Sequence, residues 1–373
     1  MREGRTGMTY DYLVCIGRFQ PFHIGHRHVI QAMLDKARHA IILVGSPNVS
    51  RSLRNPFTYE ERANMIRAVF SEAAASGQLM IRPVDDYDYN ETAQVAAIQR
   101  AIDAAMRDAA KLPSSASGAK DNVRKGFVNC GSDTQVRCLG FFPDWNVVEV
   151  KQPAGRFDAK HICSRFIRPK PMLPRKACPP EVIKLLASFS QTREFASLVE
   201  EAKYIAGFKK SWAAAPYPPT FVTVDCVVEQ AGHVLLVRRR GQPGRGLLAL
   251  PGGFVDVSEP LRDAAIRELK EETNIADANG PIAPEVLVSF IDNAKTQVFD
   301  APDRSARGRT ITHAYLFRCP HGDTLFDVKG GDDAASAQWH RIGDLDPRDF
   351  FEDHWFILQA MTGFCLGPAQ SSD

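Results

Sequence analysis

The sequence lacks a run of about 18 or more apolar residues, so no membrane-spanning helix is expected. Its first residues, MREGRTGMTYDY, lack the apolar stretch of a secretory signal. It lacks an excess of either charge: 46 Lys and Arg against 44 Asp and Glu leave a formal net charge of +2. That balance gives no electrostatic argument for bulk nucleic acid or a membrane surface as partner. None of its eight cysteines forms a C-x-x-C pair, which argues against a zinc site or a thioredoxin-like redox motif. Several lie in apolar runs, as in LVCIG and VDCVV, and read as reduced core residues of a cytoplasmic protein. There is no internal repeat. What is present is an ordinary globular composition, 44% hydrophobic and 24% charged, over 373 residues, enough for two domains.

The first half alternates strands and helices. YLVCIG (12–17), AIILVG (40–45), LMIRPV (79–84), GFVNCG (126–131) and NVVEV (146–150) read as strands; 25–38, 58–76 and 92–112 read as helices. That alternation predicts an α/β unit with a doubly wound parallel sheet. KLPSSASGAKD (111–121) reads as a surface loop. Residues 169–180 hold five prolines and read as a break, followed by helix over 180–212. From 220 onward FVTVDCVVEQ and HVLLVRRR are β-rich and split by Ala-Gly, a hairpin signal. LLALPGGFV, one helix, the strands EVLVSFID, THAYLFRC and AQWHRI, and a helix near 353–361 follow. This second unit reads as α+β, a mixed sheet flanked by helices. The expected boundaries are 10–178, a helical linker at 179–215, and 216–373.

Two segments carry chemistry. GFVDVSEPLRDAAIRELKEETNI (253–275) places Glu268, Glu271 and Glu272 on one helical face, with Ser258 as a cap and Pro260 in the first turn. Three carboxylates so close repel one another, and a hard divalent cation with oxygen ligands relieves that. Arg267 stands four residues before Glu271 and can pair with it, while Leu261, Ala265 and Leu269 face the sheet. GQPGRG (241–246) lies between two β runs and reads as a hairpin loop rather than a phosphate loop. At the other end, GRFQPFHIGH (17–26) follows a strand and opens a helix, whose free N–H groups suit an anion. Gly25 permits close approach of a phosphate, and Arg18, His23 and His26 gather at the same end.

The later segment resembles the Nudix signature, G-x5-E-x7-R-E-U-x-E-E-x-G-U, with Asn274 at the last glycine, where a left-handed residue ends the helix. The resemblance implies that Glu268, Glu271, Glu272 and the Gly253 carbonyl hold Mg²⁺, with Mn²⁺ as the alternative, and that Glu271 and Glu272 are catalytic. Glu259 and Arg267 support them, Gly252 and Gly253 bind substrate, and Glu285 or Asp303 stands as general base. The earlier segment, with NPFTYEERANMI (55–66), DYDYN (86–90) and FFPDW (141–145), resembles the H-x-G-H nucleotidyltransferases, and within them the nicotinamide mononucleotide adenylyltransferases. That implies a Rossmann-like nucleotidyltransferase domain in which His23, His26 and Arg168 are catalytic. Gly17, Arg18, Phe19, Gly25, Asn90 and Arg165 would bind substrate. With KKSWAAAPYPPTFVTVD (209–225) as the join, the whole chain resembles the bifunctional adenylyltransferase/Nudix hydrolases of NAD metabolism.

By that resemblance the first unit makes NAD and pyrophosphate from ATP and nicotinamide mononucleotide, and the second cleaves ADP-ribose to AMP and ribose 5-phosphate. The partners are these nucleotides, not nucleic acid or membrane, with homo-oligomerisation open. The chain departs from the adenylyltransferase pattern at Gln94, Cys163 and Arg165, and in GSDTQVRC (131–138). This keeps open a hydrolase whose first unit is a scaffold. A third class of reading is an ADP-ribose-sensing regulator.

Overall fold

The computed structural model describes residues 9–112, 123–129, 140–150, 158–320, 322 and 324–364. The 131–138 segment, most of the 111–121 stretch, and Cys130, Cys138 and Cys365 lie outside them. The chain divides into two compact units, 1–199 and 200–373. The five described cysteines, Cys15, Cys163, Cys178, Cys226 and Cys319, are free and buried. Among the described residues no helix is long and apolar enough to cross a membrane.

In the first unit β1 (Tyr10–Gly17), β2 (Ala37–Gly45), β3 (Leu79–Val84), β4 (Lys125–Asn129) and β5 (Asn146–Glu149) form one sheet. Its order is β3-β2-β1-β4-β5 and every pairing is parallel. The central strand β2 is buried nearly end to end and β1 at its middle, as Leu13, Val14, Ile41, Ile42 and Leu43 show, because helices cover both faces of a parallel sheet. These helices include α1 (Ile24–Lys36), α2 (Tyr59–Val69), α3 (Ser71–Ala75) and α4 (Glu91–Ala110). The winding reverses between β1 and β4, so the loop leaving β1 stands at the topological switch point, where doubly wound folds take ligands. One helix was expected over 58–76. It breaks at Phe70 (φ −124°, ψ 45°), whose buried ring meets Phe22 edge-on at 6.4 Å. The unit continues through α5 (Ala159–Phe166) and α6 (Pro180–Phe189). Then α7 (Arg193–Ser211) runs on past residue 199, so the helix expected over 180–212 is two helices.

In the second unit β6 (Thr220–Gln230) pairs in parallel with β13 (Arg309–Arg318). The remaining pairings in this mixed sheet are antiparallel: β12 (Ile291–Phe299) on β13, and β7 (His233–Arg239) with β14 (Ala334–Arg341), β8 (Leu248–Ala249) and the end of β6. The short β9 (Gly252–Phe254) lies on β6, with Val224 opposite Gly253 and Asp225 opposite Gly252. A two-stranded ribbon, β10 (Ala276–Asp277) and β11 (Gly280–Pro281), follows α8 (Leu261–Thr273). The inner stripe of α8, Ala264, Ala265 and Leu269, packs against Val224, Cys226, Val228 and Leu235. EVLVSFID was expected as a strand, but its first part is α9 (Pro284–Ser289). Pro284 starts that turn and only Leu287 is buried in it. The chain's last described helix is α10 (His354–Thr362).

One buried arginine fixes the ligand edge of the first sheet. Arg62 on α2 is fully buried, and its guanidinium donates to the carbonyls of Arg18 (2.8 Å), Gly45 (2.6 Å), Ser46 (2.7 Å) and Thr58 (3.0 Å). It joins the ends of β1 and β2 to the start of α2. Arg62→Leu would leave those carbonyls dry and unpaired, a loss of about 3 kcal/mol or more. Urea unfolding of the first unit should show its midpoint falling accordingly, and a midpoint within error of wild type would refute this account.

Candidate functional site

The first site is built on the turn between β1 and α1. His23 is the N-cap of α1 and stands outside helical geometry (φ −134°, ψ 174°), so its side chain reaches back over the first turn. Its Nδ1 accepts from the His26 N–H, and the His26 Nδ1 accepts from the His23 N–H, both at 3.3 Å. The rings stack at 3.6 Å and 15°. Burial lowers the His23 pKa to about 4, and burial together with the adjacent His23 lowers that of His26 well below the usual range. Both imidazoles are therefore neutral near pH 7. Because each Nδ1 is an acceptor, each ring carries its proton on Nε2. The pair offers two neutral N–H donors at a helix N-terminus, a setting for phosphate oxygens.

The loop is held from beneath. The Gln20 amide donates to Phe57 O (2.9 Å) and accepts from Phe57 N (3.0 Å), and the Cys163 thiol on α5 donates to Gln20 O (3.3 Å). Burial pushes that thiol up to about 12, so Cys163 acts as an anchor rather than a phosphate contact. Arg18 is exposed at the loop, and Gly17 is partly covered. Phe19 was expected to bind substrate, but it is buried at 3% exposure. Its ring lies on Gly17 and meets His26 edge-on at 4.8 Å, which makes it support for the imidazoles. Gly25 is buried in the first turn. Asn90 caps α4 by accepting from Ala93 N (3.0 Å). Gln94 donates to Asp85 O and accepts from Tyr87 N, fixing the turn before α4. Arg165 and Arg168 are exposed at and beyond the end of α5, with Arg168 Nε donating to Ser164 O (2.8 Å). The sequence reading missed Arg62 and Gln20, although both lie inside the segments it quoted.

The second site is built on β9 and α8. Pro260, not Ser258, is the N-cap of α8, and no side chain caps it. Glu259 is occupied instead, accepting from Arg267 Nη2 (2.6 Å), Arg267 Nε (3.0 Å) and Asp256 N (2.9 Å), which sets where the helix begins. Arg267 also donates to Glu268 and Glu271 (2.9 Å each) and to Phe254 O (3.2 Å). The three glutamates do not share one environment as expected. Glu268 and Glu272 turn inward against β9, while Glu271 is half exposed. Glu271 and Arg267 border a pocket of about 380 Å³ between α8 and α9 that Glu268 and Glu272 do not line. The physical reason is helical position: Glu268 and Glu272 follow the buried stripe of Ala265 and Leu269, while Glu271 lies off it and is held at the outer side by Arg267. Asn274 ends the helix in the left-handed region (φ 45°, ψ 38°), as expected.

Among the described residues no three acidic, histidine or cysteine side chains already converge as a metal-binding group. The donors nonetheless suit a hard cation. A β-carbon at Gly253 would collide with the Glu268 carboxylate, so glycine makes the cradle in which that group rests. Glu272 accepts from Gly252 N (3.0 Å) and is buried, and burial, with Glu268 nearby, raises its pKa to about 8. Desolvation likewise raises Glu268. Two desolvated carboxylates beside an open backbone make an oxygen donor set whose chemistry fits a hard divalent cation. Glu285 and Asp303 are both exposed, on α9 and in the β12–β13 connection.

Both units are similar to known proteins. The NUDIX domain model matches residues 219–361 and the cytidylyltransferase-like model residues 14–93. The chain is 30% identical over 193 residues to the nicotinamide/nicotinic acid mononucleotide adenylyltransferase of Acinetobacter baylyi, covering 52% of this chain and 93% of that one. It is 33% identical over 138 residues to the ADP-ribose pyrophosphatase of Methanocaldococcus jannaschii, covering 37% and 70%. Among solved structures it is similar to a bifunctional NMN adenylyltransferase/ADP ribose pyrophosphatase from Francisella tularensis complexed with AMP and a manganese ion. The TM-score is 0.79 at 33% identity, over 94% of this chain and 98% of that one.

The imidazole pair has a pH signature. His23 titrates at about 4 when folded, against an ordinary value of 6.5. Between those values the unfolded chain binds the proton that the folded chain refuses, so stability falls as pH drops through this window. The urea midpoint of the first unit should decline from pH 6.5 toward 4, and His23→Gln should flatten that decline. An equal slope in both proteins would be evidence that His23 is not held neutral.

Proposed function

The chain belongs to the family of bifunctional NMN adenylyltransferase/ADP-ribose pyrophosphatases, and from that premise we propose how its two units divide the chemistry. The first transfers the adenylyl group of ATP to nicotinamide mononucleotide, giving NAD and pyrophosphate. The second hydrolyses ADP-ribose to AMP and ribose 5-phosphate with Mg²⁺. One observation carries the reading: a single chain holds both a neutral imidazole pair at a helix N-terminus and two desolvated glutamates against a Gly-Gly strand.

In the first unit the phosphate of nicotinamide mononucleotide attacks the α-phosphorus of ATP, and the bond to pyrophosphate breaks. No protein nucleophile is needed, so catalysis is positioning and charge stabilisation. His23 and His26 donate from Nε2 to phosphate oxygens, and Arg18, Arg165 and Arg168 are cations on that unit's surface. In the second unit water attacks one phosphorus of the diphosphate bridge, the bond from that phosphorus to the bridging oxygen breaks, and the other phosphate leaves. Glu268 and Glu272, with the Gly253 carbonyl, are the residues that would hold the cation, which supplies charge neutralisation for the diphosphate and acidifies water. Arg267 holds Glu268, and the Gly252 N–H holds Glu272, so both carboxylates are oriented in advance.

A second reading keeps hydrolysis alone. It is favoured by Cys163 and Gln94, whose polar atoms are engaged in holding backbone at the first site. Paired variants separate the two. Glu272→Gln should lower ADP-ribose hydrolysis by about a hundredfold or more and leave NAD formation intact. His23→Ala should do the reverse. Products are identified by chromatography after incubation with Mg²⁺ and each substrate set. A wild type that releases AMP from ADP-ribose but makes no NAD would establish the hydrolase-only reading. A Glu272→Gln protein with wild-type turnover would remove the glutamates from the mechanism.

A further inference from the structure

The hydrolytic chemistry above uses two backbone groups, the Gly252 N–H and the Gly253 carbonyl, and a glycine has no side chain with which to hold its own peptide in place. Glycine is nonetheless required at both positions. A β-carbon at Gly252 would collide with the Val224 carbonyl, and one at Gly253 with the Glu268 carboxylate. β9 is three residues long and pairs with β6. The direction in which its first peptides point is therefore set largely by whatever holds Leu250 and Pro251, the two residues between β8 and β9.

Two hydrogen bonds hold them. Pro251 O accepts from Cys226 N on β6 at 2.8 Å. Leu250 N donates to Nδ1 of His354, the first residue of α10, at 3.0 Å. Because Nδ1 is the acceptor, the ring proton is on Nε2. The imidazole is buried, and burial lowers its pKa to about 3, so it is uncharged at neutral pH. The Asp225 carboxylate lies 3.9 Å from the same nitrogen, beyond hydrogen-bonding range. The approach to α10 grips a second point, where Phe351 N donates to Leu248 O at 2.8 Å and the Phe351 ring meets that of His354 at 5.4 Å. Trp355, Phe356, Ile357 and Leu358 are buried and already pack α10 against its surroundings. What the imidazole adds is an acceptor at a fixed point, two residues before the N–H that holds Glu272 at 3.0 Å.

We propose that His354 is a positioning residue for hydrolysis: its Nδ1 fixes the peptide of Leu250, and through it the turn into Gly252 and Gly253 that orients Glu272 and the carbonyl for the cation. This rests on the hydrolase reading and assigns to it a side chain 82 residues beyond Glu272 in the sequence. His354 itself touches neither carboxylate nor substrate. Its loss frees a buried N–H, which turns toward another acceptor and takes the following peptides with it. The Gly252 N–H then leaves Glu272, and a donor set that was oriented in advance must be ordered by the cation as it binds. Outer partners of metal ligands act in this way, through affinity and turnover rather than through substrate contact. Cation affinity and kcat are therefore the quantities that depend on His354, and KM for the nucleotide is not.

Two variants of the full chain test this. His354→Leu removes the acceptor and keeps an apolar side chain, whereas His354→Asn puts a carbonyl oxygen near the place of Nδ1. Mn²⁺ is titrated without substrate and followed by electron paramagnetic resonance of the free ion, counting the site that Glu272→Gln abolishes. AMP release from ADP-ribose is then measured at saturating Mg²⁺. His354→Leu should weaken Mn²⁺ binding and lower kcat roughly tenfold each with KM within about twofold, and His354→Asn should recover most of both losses. Wild-type Mn²⁺ affinity and kcat in a folded His354→Leu protein, a rise in KM alone, or losses that His354→Asn does not repair would each overturn the proposal. Where His354→Leu does not fold, His354→Asn decides: affinity and kcat near wild type support the acceptor role, and tenfold losses in a folded protein refute it. A wild type that binds Mn²⁺ but releases no AMP would overturn the hydrolase reading, and the Mn²⁺ titrations would still decide whether His354 sets the ligands.

Discussion

The second unit is organised around carboxyl groups placed where water is scarce. Glu268 and Glu272 are carried inward by the same helical stripe that buries Ala265 and Leu269, and they meet a strand, β9, with no side chain at the point of contact. Desolvation raises both carboxylates, which states in another form that the folded protein holds them at an energetic disadvantage. Such a disadvantage persists only if the surrounding packing over-determines it. Arg267 provides part of that restraint, reaching Glu259, Glu268, Glu271 and the Phe254 carbonyl from one guanidinium. Five donors in a fixed fork make this possible for arginine, and lysine could not reproduce it.

The first unit solves the opposite problem, an anion site without fixed charge at its centre. Its two imidazoles are neutral, and their shared capping arrangement consumes the Nδ1 atoms so that only donors remain. Neutral donors bind phosphate less tightly than cations would, which suits a site whose products must leave. The permanent cations Arg18, Arg165 and Arg168 are exposed, whereas the buried guanidinium of Arg62 is consumed by backbone carbonyls.

Much of this was legible because local rules and the fold agree. The spacing of Leu261, Ala265 and Leu269 gave the buried face of α8, and Asn274 gave its end, since helical period and left-handed capping act within a few residues. The apolar runs gave the parallel strands for the same reason. The failures are tertiary. Nothing local in 58–76 says that Phe70 leaves the helix to meet Phe22. Ser258 is a good cap in isolation, but Glu259 is claimed by an arginine two turns into the helix. Phe19 reads as a ligand contact beside Arg18 until the loop's path turns its ring onto Gly17. The unequal exposure of Glu268, Glu271 and Glu272 could not be read from spacing, because helical position fixes direction and only the neighbours fix burial.

A buried ionic network behind β9 shows how the distant parts of the second unit reach its site. Asp225 stands opposite Gly252 in the sheet register. Its carboxylate accepts from Thr312 Oγ1 at 2.6 Å and lies 3.7 Å from Arg304, which binds Asp353 with two hydrogen bonds of 2.8 and 2.9 Å. The neighbouring His354 accepts from Leu250 N at 3.0 Å. Residues from β6, the β12–β13 connection and the head of α10 thus converge on the stretch 250–252. Buried pairs of this kind contribute little net stability once desolvation is counted. Hydrophobic residues could fill the same volume, but they would not fix the direction of the Gly252 N–H. The network's use is therefore geometric: it sets the strand that in turn sets Glu272, so the position of one carboxylate depends on side chains far from it in the sequence.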